Sequence, residues 1–240
     1  MNPAFMVPKD FKGLVYENKD RHLFRLARRA YTDESILARE REAIFDRCWI
    51  YVGHGSEIPN PMDFLTRSVA GRELIFNRDR AGDVHAFLNV CPHRGAALVR
   101  ENKGNAMSFR CFYHGWNFNA NGRFASRYPE GNYGEGHYDG GCADLVAVPR
   151  LEHYRDFYFV NFDEDAMSLS DYLAGAKEMI DLVSDQGEEG MEVIGDGQNY
   201  CIHSNWKMLA ENSYDGFHAP TTHETYVQYL VASGDVRTNA

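Results

Sequence analysis

Two short cysteine–histidine segments constrain the fold of this 240-residue chain more than any other feature. The first is C-x-H, at Cys91 and His93, and the second is C-x-x-H, at Cys111 and His114. A single zinc ion can bind two Cys and two His in a closed structural site. Because each segment supplies one Cys and one His, the pattern also suits a [2Fe–2S] cluster, with two thiolates on one iron and two imidazoles on the other. The sequence therefore predicts a metal centre held between two loops.

The residues around these ligands are suited to tight, shielded loops. Pro92 and Gly95 permit a sharp bend after Cys91, and Gly115 lets the backbone approach a cluster closely. The aromatic rings of Tyr113 and Trp116 can keep water away from it. These neighbours favour the iron–sulfur cluster over zinc, although a structural zinc protein stays open as an alternative.

The segments CPHRG and CFYHGW resemble the two ligand loops of Rieske proteins. By that resemblance, Cys91 and Cys111 bind one iron, and His93 and His114 bind the other. Neutral imidazoles make such a cluster less negative, so its potential lies at roughly -150 to +300 mV. It would then accept electrons from a ferredoxin or a flavin donor.

A second candidate metal segment, NWKMLAENSYDGFHAPTTH, occupies residues 205–223. On a continuous helix Glu211, Asp215 and His218 would share one face. We expect Pro220 to end that helix near Phe217 or His218 and to let the chain bring His223 back toward His218. Two His and a carboxylate with open positions form the ligand set of non-haem Fe(II) sites that activate O₂.

The pattern E-N-x-x-D-x-x-H-x4-H resembles the mononuclear iron segment in the α subunits of Rieske non-haem iron ring-hydroxylating oxygenases. The resemblance covers the N-terminal portion of such a subunit. It implies that His218 and His223 bind the iron and that Asp215 links it to a cluster His of a neighbouring subunit. It also implies that Asn212 lines the iron pocket and that Glu211 supports the same route as Asp215. The third iron ligand of the family is an Asp far downstream, and no position in these 240 residues matches it.

The resemblance also implies an activity. Electrons from NAD(P)H would pass through a reductase, and in some systems a ferredoxin, to the cluster, then by way of Asp215 to the iron. O₂ would hydroxylate or dihydroxylate a small aromatic substrate, for which an aromatic carboxylate is one candidate. The expected assembly is a homotrimer or an α₃β₃ hexamer. The alternative is a Rieske electron-transfer protein without oxygenase chemistry of its own.

Composition excludes some classes of partner. The net charge of -10 argues against nucleic acid. Residues 1–130 carry 20 Lys and Arg against 15 Asp and Glu, whereas residues 131–240 carry 5 against 20, which suggests two modules. Five cysteines, no secretory signal and no apolar run long enough to span a membrane predict a cytoplasmic protein without disulfides.

The order of elements predicts an α+β fold. We expect an N-terminal helical segment at 1–44, an antiparallel β Rieske domain at 45–160, and at 161–240 the first part of a catalytic domain, which the resemblance implies is helix-grip-like. Within them we predict a helix at 32–49 with Thr32 or Asp33 as its cap, a β-hairpin around residues 80–83, and a type I′ turn at Asn121–Gly122. Further elements are a loop at 128–142, strands at 146–151, 156–163 and 191–203, and helices at 169–185 and 205–218.

Overall fold

A computed structural model of the chain describes residues 13–126, 143–188, 190–195 and 200–234. The chain divides into two compact units, one formed by Met1–Leu37 with Gly197–Ala240 and the other by Ala38–Asp196. The domain limits expected from the sequence stay a prediction. No helix in the described ranges has both the length and the apolar character that crossing a membrane requires.

Twelve strands and seven α-helices are assigned in the described ranges. The strands are β1 Val15–Asn18, β2 Leu23–Leu26, β3 Ile50–His54, β4 Asp63–Val69, β5 Arg72–Arg78, β6 Val84–Leu88, β7 Lys103–Asn105, β8 Ser108–Arg110, β9 Asn117–Asn119, β10 Phe124–Ser126, β11 Arg150–Tyr154 and β12 Phe157–Asn161. The helices are α1 Arg29–Thr32, α2 Glu34–Glu40, α3 Leu169–Leu173, α4 Ala176–Ser184, α5 Trp206–Tyr214, α6 Ala219–Thr222 and α7 Glu224–Ser233. The mixture of helices and antiparallel strands is the predicted α+β class.

Three antiparallel sheets form the larger unit. They have the strand orders β6-β5-β4-β7, β11-β12-β3 and β10-β9-β8. Ile75 in the middle of β5 pairs with Thr66 of β4 on one side and with Phe87 of β6 on the other. Leu74, Ile75 and Phe76 of β5 are buried in succession, with Ile75 in one core cluster and Leu74 and Phe76 in the other, so both faces of this sheet are covered.

The hairpin predicted around residues 80–83 is confirmed. Strands β5 and β6 pair antiparallel, with Arg78 opposite Val84, and Gly82 adopts a positive φ of 97°. The strands predicted at 146–151 and 156–163 correspond to β11 and β12, although β11 begins only at Arg150.

The type I′ turn predicted at Asn121–Gly122 is wrong. Such a turn needs a positive φ at both residues, and only Gly122 has one, at 83°. The N–H of Gly122 donates to the C=O of Asn119 at 2.9 Å, and the N–H of Asn119 donates to the C=O of Arg123. This is a three-residue connection in which a tight turn is followed by a left-handed glycine, the next most common hairpin type after the two-residue turns.

The core of the larger unit has two clusters. In one, Phe87, Phe109 and Phe118 are buried together with Cys91 and Cys111. In the other, side chains of β3, β4, β5 and β12 pack together, and Phe76 and Val160 among them are fully buried. Both cysteines that the sequence motif predicts to bind a metal therefore belong to a hydrophobic core.

The helix predicted at 32–49 is interrupted. Asp33 is extended, at φ -94° and ψ 114°, and its carboxylate accepts the Ser35 N–H at 3.0 Å as α2 begins. After α2 the chain forms a π-helical turn at Arg41–Phe45, and the helical segment ends there. The helix predicted at 169–185 is likewise divided into α3 and α4, because Ala174 takes a positive φ of 42°.

The strand predicted at 191–203 is wrong for the residues described there. Residues 191–195 and 200–203 are exposed and belong to no sheet. A strand needs a neighbour for its backbone hydrogen bonds, and none of the described strands lies beside this stretch. The loop predicted at 128–142 falls outside the described residues.

Candidate metal centres

The two ligand loops have the same backbone construction. The C=O of Cys91 accepts the N–H of Gly95 at 2.9 Å, and the C=O of Cys111 accepts the N–H of Gly115 at 3.0 Å. Each cysteine N–H donates to the carbonyl of the residue just after that glycine, at 2.8 and 2.7 Å. The two glycines have φ values of 72° and 69°, a conformation that other residues adopt at a cost. The loops are therefore matched tight turns, the first after β6 and the second between β8 and β9.

Asn89 holds the chain around the first loop. Its side-chain oxygen accepts the N–H groups of Leu98 and Val99 at 3.1 and 2.8 Å, and its side-chain nitrogen donates to the C=O of Val99 at 2.7 Å. All three residues are buried. These bonds close the segment that contains Cys91 and His93, and sequence reasoning gave no role to this asparagine.

The two cysteine thiols lie together in the core. Cys91 and Cys111 are 1% and 2% exposed and are not joined in a disulfide. Burial raises the pKa of the Cys91 thiol, and its hydrogen bond with the Cys111 thiol raises it further. Two thiolates at this place would therefore require a compensating cation, as iron would be.

The two imidazoles also lie together. The ring centroids of His93 and His114 are 4.6 Å apart, and the His93 ring stacks on Trp116 at 4.7 Å with an interplanar angle of 3°. Nδ1 of His93 is buried and makes no hydrogen bond within the described ranges. Burial lowers the pKa of His93, and His114 and Arg94 lower it further, which favours the neutral form that binds a metal.

This arrangement fits a cluster better than a single ion. A zinc site needs four donors within about 2.0–2.3 Å of one point. In the parts of the chain that the structure describes, no three His, Cys, Asp or Glu side chains converge as one ion would need. The two thiols lie beside each other and the two imidazoles lie beside each other, which matches one iron held by sulfur and one held by nitrogen. The buried Nδ1 of His93, which makes no hydrogen bond among the described residues, is available to bind the second of these irons.

The second segment is folded differently from the continuous helix predicted. α5 begins at its cap Asn205, whose Oδ1 accepts the Lys207 N–H at 3.1 Å, and it ends at Tyr214. Asp215 is extended, and its Oδ1 accepts the Phe217 N–H at 2.9 Å. A short Asp side chain that bonds the backbone two residues on competes with the helix, which explains the early end.

Pro220 therefore starts a helix rather than ending one. It lies in the first turn of α6, where a missing N–H is tolerated. Glu211, Asp215 and His218 consequently do not share one helical face. Asp215 follows α5, His218 precedes α6, and His223 stands between α6 and α7.

The structure nevertheless brings the predicted second-site histidines together. The ring centroids of His218 and His223 are 5.2 Å apart. Nδ1 of His218 is buried and has no hydrogen-bond partner among the described residues, although Oδ2 of Asp215 is 3.4 Å away. Two adjacent imidazoles fit a mononuclear iron, and because Nδ1 of His218 faces Asp215, the other ring nitrogen of His218 is left for the metal. No third protein donor joins them in the described ranges. Asn212 is exposed.

Glu211 has a partner that the sequence gave no sign of. The hydroxyl of Tyr31 donates to Oε1 of Glu211 at 2.6 Å. This hydrogen bond, with burial, raises the pKa of Tyr31 to about 12. The two residues are 180 positions apart, a separation at which no local pattern signals a contact.

Comparison with known proteins agrees with this geometry. Residues 48–134 match the Rieske [2Fe-2S] domain family. The chain is 36% identical over 206 residues to the 2-halobenzoate 1,2-dioxygenase large subunit of Burkholderia cepacia, covering 85% of this chain and 44% of that subunit. It is 40% identical over 207 residues to the anthranilate 1,2-dioxygenase large subunit of Acinetobacter baylyi, with coverage of 85% and 44%.

A solved structure shows the same likeness in three dimensions. The naphthalene 1,2-dioxygenase of Rhodococcus sp., bound to indole, superimposes with a TM-score of 0.76 at 35% identity, covering 82% of this chain and 45% of that one. The fold and the paired Cys–His loops thus define a Rieske iron–sulfur protein. More particularly, the chain belongs to the Rieske ring-hydroxylating oxygenases and corresponds to the N-terminal portion of their large subunits. It spans a little less than half the length of the curated relatives it matches.

Proposed function

We propose that this chain is the N-terminal part of a terminal oxygenase component that hydroxylates or dihydroxylates an aromatic substrate with O₂. The observation that carries the proposal is the presence, in one chain of this family, of both donor sets: the paired thiols and imidazoles of the two loops, and the adjacent rings of His218 and His223. A carrier protein would need only the first set.

Each residue of the first centre has a distinct part. Cys91 and Cys111 would hold one iron inside the core, and His93 and His114 would hold the other nearer the surface, because both imidazoles are only partly buried. Trp116 covers one face of the His93 ring and limits water there. When bound, the cluster supplies one-electron transfer at a potential that ordinary ferredoxins can reach.

At the second centre His218 and His223 would hold the mononuclear iron, which supplies the place where O₂ is reduced. Asp215 orients this pair, since Oδ1 is fixed by the Phe217 N–H and Oδ2 faces Nδ1 of His218. The Asp215 side chain is 49% exposed, so a second imidazole can reach it. We assign that imidazole to a cluster His of a neighbouring subunit, which requires a homotrimer or an α₃β₃ hexamer.

Partners and substrate follow from the same proposal. The electron donor would be a reductase, alone or with a ferredoxin, supplied by NAD(P)H. The two relatives compared above are named for 2-halobenzoate and anthranilate, which are both aromatic carboxylates, and this supports an aromatic carboxylate here. The cytoplasmic location expected from the sequence stays a prediction.

Metal analysis of the whole protein tests the proposal. We expect about three irons per chain, two with acid-labile sulfide and a Rieske visible spectrum. Two irons with the same spectrum would instead indicate an electron-transfer protein. A colourless protein that contains zinc would refute both assignments.

A further inference from the structure

Tyr31 contacts α5 at its beginning and near its end. The backbone C=O of Tyr31 accepts a hydrogen bond from Nδ2 of Asn205 at 3.1 Å, and its hydroxyl donates to Oε1 of Glu211 at 2.6 Å. Nζ of Lys207 lies 5.6 Å from the centroid of the tyrosine ring. Six helical residues rise about 9 Å, so this single tyrosine spans nearly two turns of the helix.

Asn205 connects Tyr31 to the helix through both ends of its amide. Its Oδ1 caps α5 by accepting the Lys207 N–H, while its Nδ2 donates to Tyr31. The position of Tyr31 is therefore fixed at the start of α5, and its hydroxyl meets Glu211 near the other end of the helix.

Glu211 lies one helical turn before Asp215 and carries the same charge. The C=O of Glu211 accepts the N–H of Asp215 at 3.0 Å, so the backbones of the two residues are directly joined. Asp215 is the C-cap residue of α5, and this backbone bond keeps the helical i, i+4 spacing to Glu211, a spacing at which two carboxylates repel each other. Without the Tyr31 hydroxyl as a partner, the Glu211 carboxylate could turn toward the Asp215 carboxylate and, by repulsion, displace it from His218.

We infer that Tyr31 is a positioning residue for the mononuclear iron site, because its hydroxyl holds the Glu211 carboxylate away from the Asp215–His218 pair. The inference rests on the proposed function, since it assigns His218 to the iron. Tyr31 suits this role over the whole physiological range, because its hydroxyl remains a donor until strongly alkaline pH.

The test replaces Tyr31 by Phe in the complete, metal-loaded enzyme, which removes only the hydroxyl. We expect turnover to fall roughly tenfold, the equilibrium weight of a hydrogen bond to a charged group, and the product formed per O₂ consumed to fall with it. The Rieske spectrum should not change. Tyr16→Phe is the matched control, because Tyr16 is 51% exposed in β1 of the same compact unit.

A double variant separates positioning from simple stabilisation. Adding Glu211→Gln to Tyr31→Phe removes the repelling charge without restoring the lost hydrogen bond. We expect the double variant to recover most of the turnover and coupling. A purely structural role for Tyr31 predicts no recovery.

Each outcome bears on a specific claim. Equal turnover in Tyr31→Phe and Tyr16→Phe overturns the inference, and so does a Tyr31→Phe defect that Glu211→Gln leaves in place. A wild-type enzyme that lacks O₂-dependent turnover overturns the proposed function instead, and the inference with it.

Discussion

Replacing Asn89 with leucine tests how the first ligand loop is held. The substitution keeps a similar side-chain volume, so it leaves little cavity. It removes three hydrogen bonds at once, and it leaves the N–H groups of Leu98 and Val99 and the C=O of Val99 without the partner they have here.

The expected loss follows from those three bonds. Each contributes about 1 kcal/mol net, and a buried group left unpaired costs about 1–3 kcal/mol. Leu98 and Val99 are both 6% exposed, so water cannot readily replace the asparagine. We therefore expect the free energy of unfolding to fall by about 3–5 kcal/mol, a large part of the 5–15 kcal/mol typical of a domain.

Urea unfolding followed by circular dichroism measures this loss, and release of the cluster to a chelator should be faster in the same variant. Asn105→Leu is the control. The amide of Asn105 also makes two hydrogen bonds, to Pro61 and Asp63, but the residue is exposed, so we expect a loss below about 1 kcal/mol. If Asn89→Leu costs no more than this control, the three bonds do not hold the loop.

Three further predictions concern the turn at Gly122, the loss of stability at acid pH, and the second centre. Gly71→Ala should lower the free energy of unfolding by about 1 kcal/mol, because its φ is positive. Gly122→Ala should lower it by more, because φ is positive there too and the new Cβ would also lie 2.4 Å from the Phe87 ring. Equal losses of stability in thermal unfolding would contradict this. Burial opposes ionisation of Asp79, but hydrogen bonds from His85 and from the N–H groups of Asp83 and Ala81 outweigh it and hold its pKa below 3.8. The ionised Asp79 therefore contributes stability that is present above pH 3.8 and is lost as the pH falls through its lower folded pKa. The unfolding free energy of Asp79→Asn should fall less steeply below about pH 4 than that of the unchanged protein. Parallel plots of unfolding free energy against pH for the two proteins would rule the effect out. Asp215→Asn should leave the Rieske spectrum intact and slow turnover sharply, and unchanged turnover in a steady-state assay would refute the bridging role.

Residue spacing predicted the first centre because its geometry is local. Each ligand loop is closed by hydrogen bonds between residues four or five positions apart, so a short motif specifies nearly the whole turn. The hairpin of β5 and β6 was predictable for the same reason. The turn at Asn121–Gly122 was not, because the same dipeptide serves both a two-residue and a three-residue connection and the flanking strands choose between them.

The second centre was harder to predict because two local signals conflict there. Helical periodicity extends through His218, whereas the Asp215 side chain and Gly216 favour a turn, and the turn prevails. The contact of Tyr31 with Glu211 joins distant parts of the chain, and no spacing in the sequence indicates it. Residues 191–203 carry a strand-like composition, yet composition cannot supply the neighbouring strand that would complete a sheet.

The candidate residues of the second centre, the two iron ligands and the bridging Asp215, all occupy helix boundaries. Asp215 closes α5, His218 opens α6, and His223 is the single residue between α6 and α7. An ion bound by His218 and His223 would therefore join both ends of a four-residue helix and fix the directions of the segments on either side. Iron would thus contribute local rigidity as well as chemistry, and its loss would release the backbone around α6 while the helical turns of α5 kept their own hydrogen bonds.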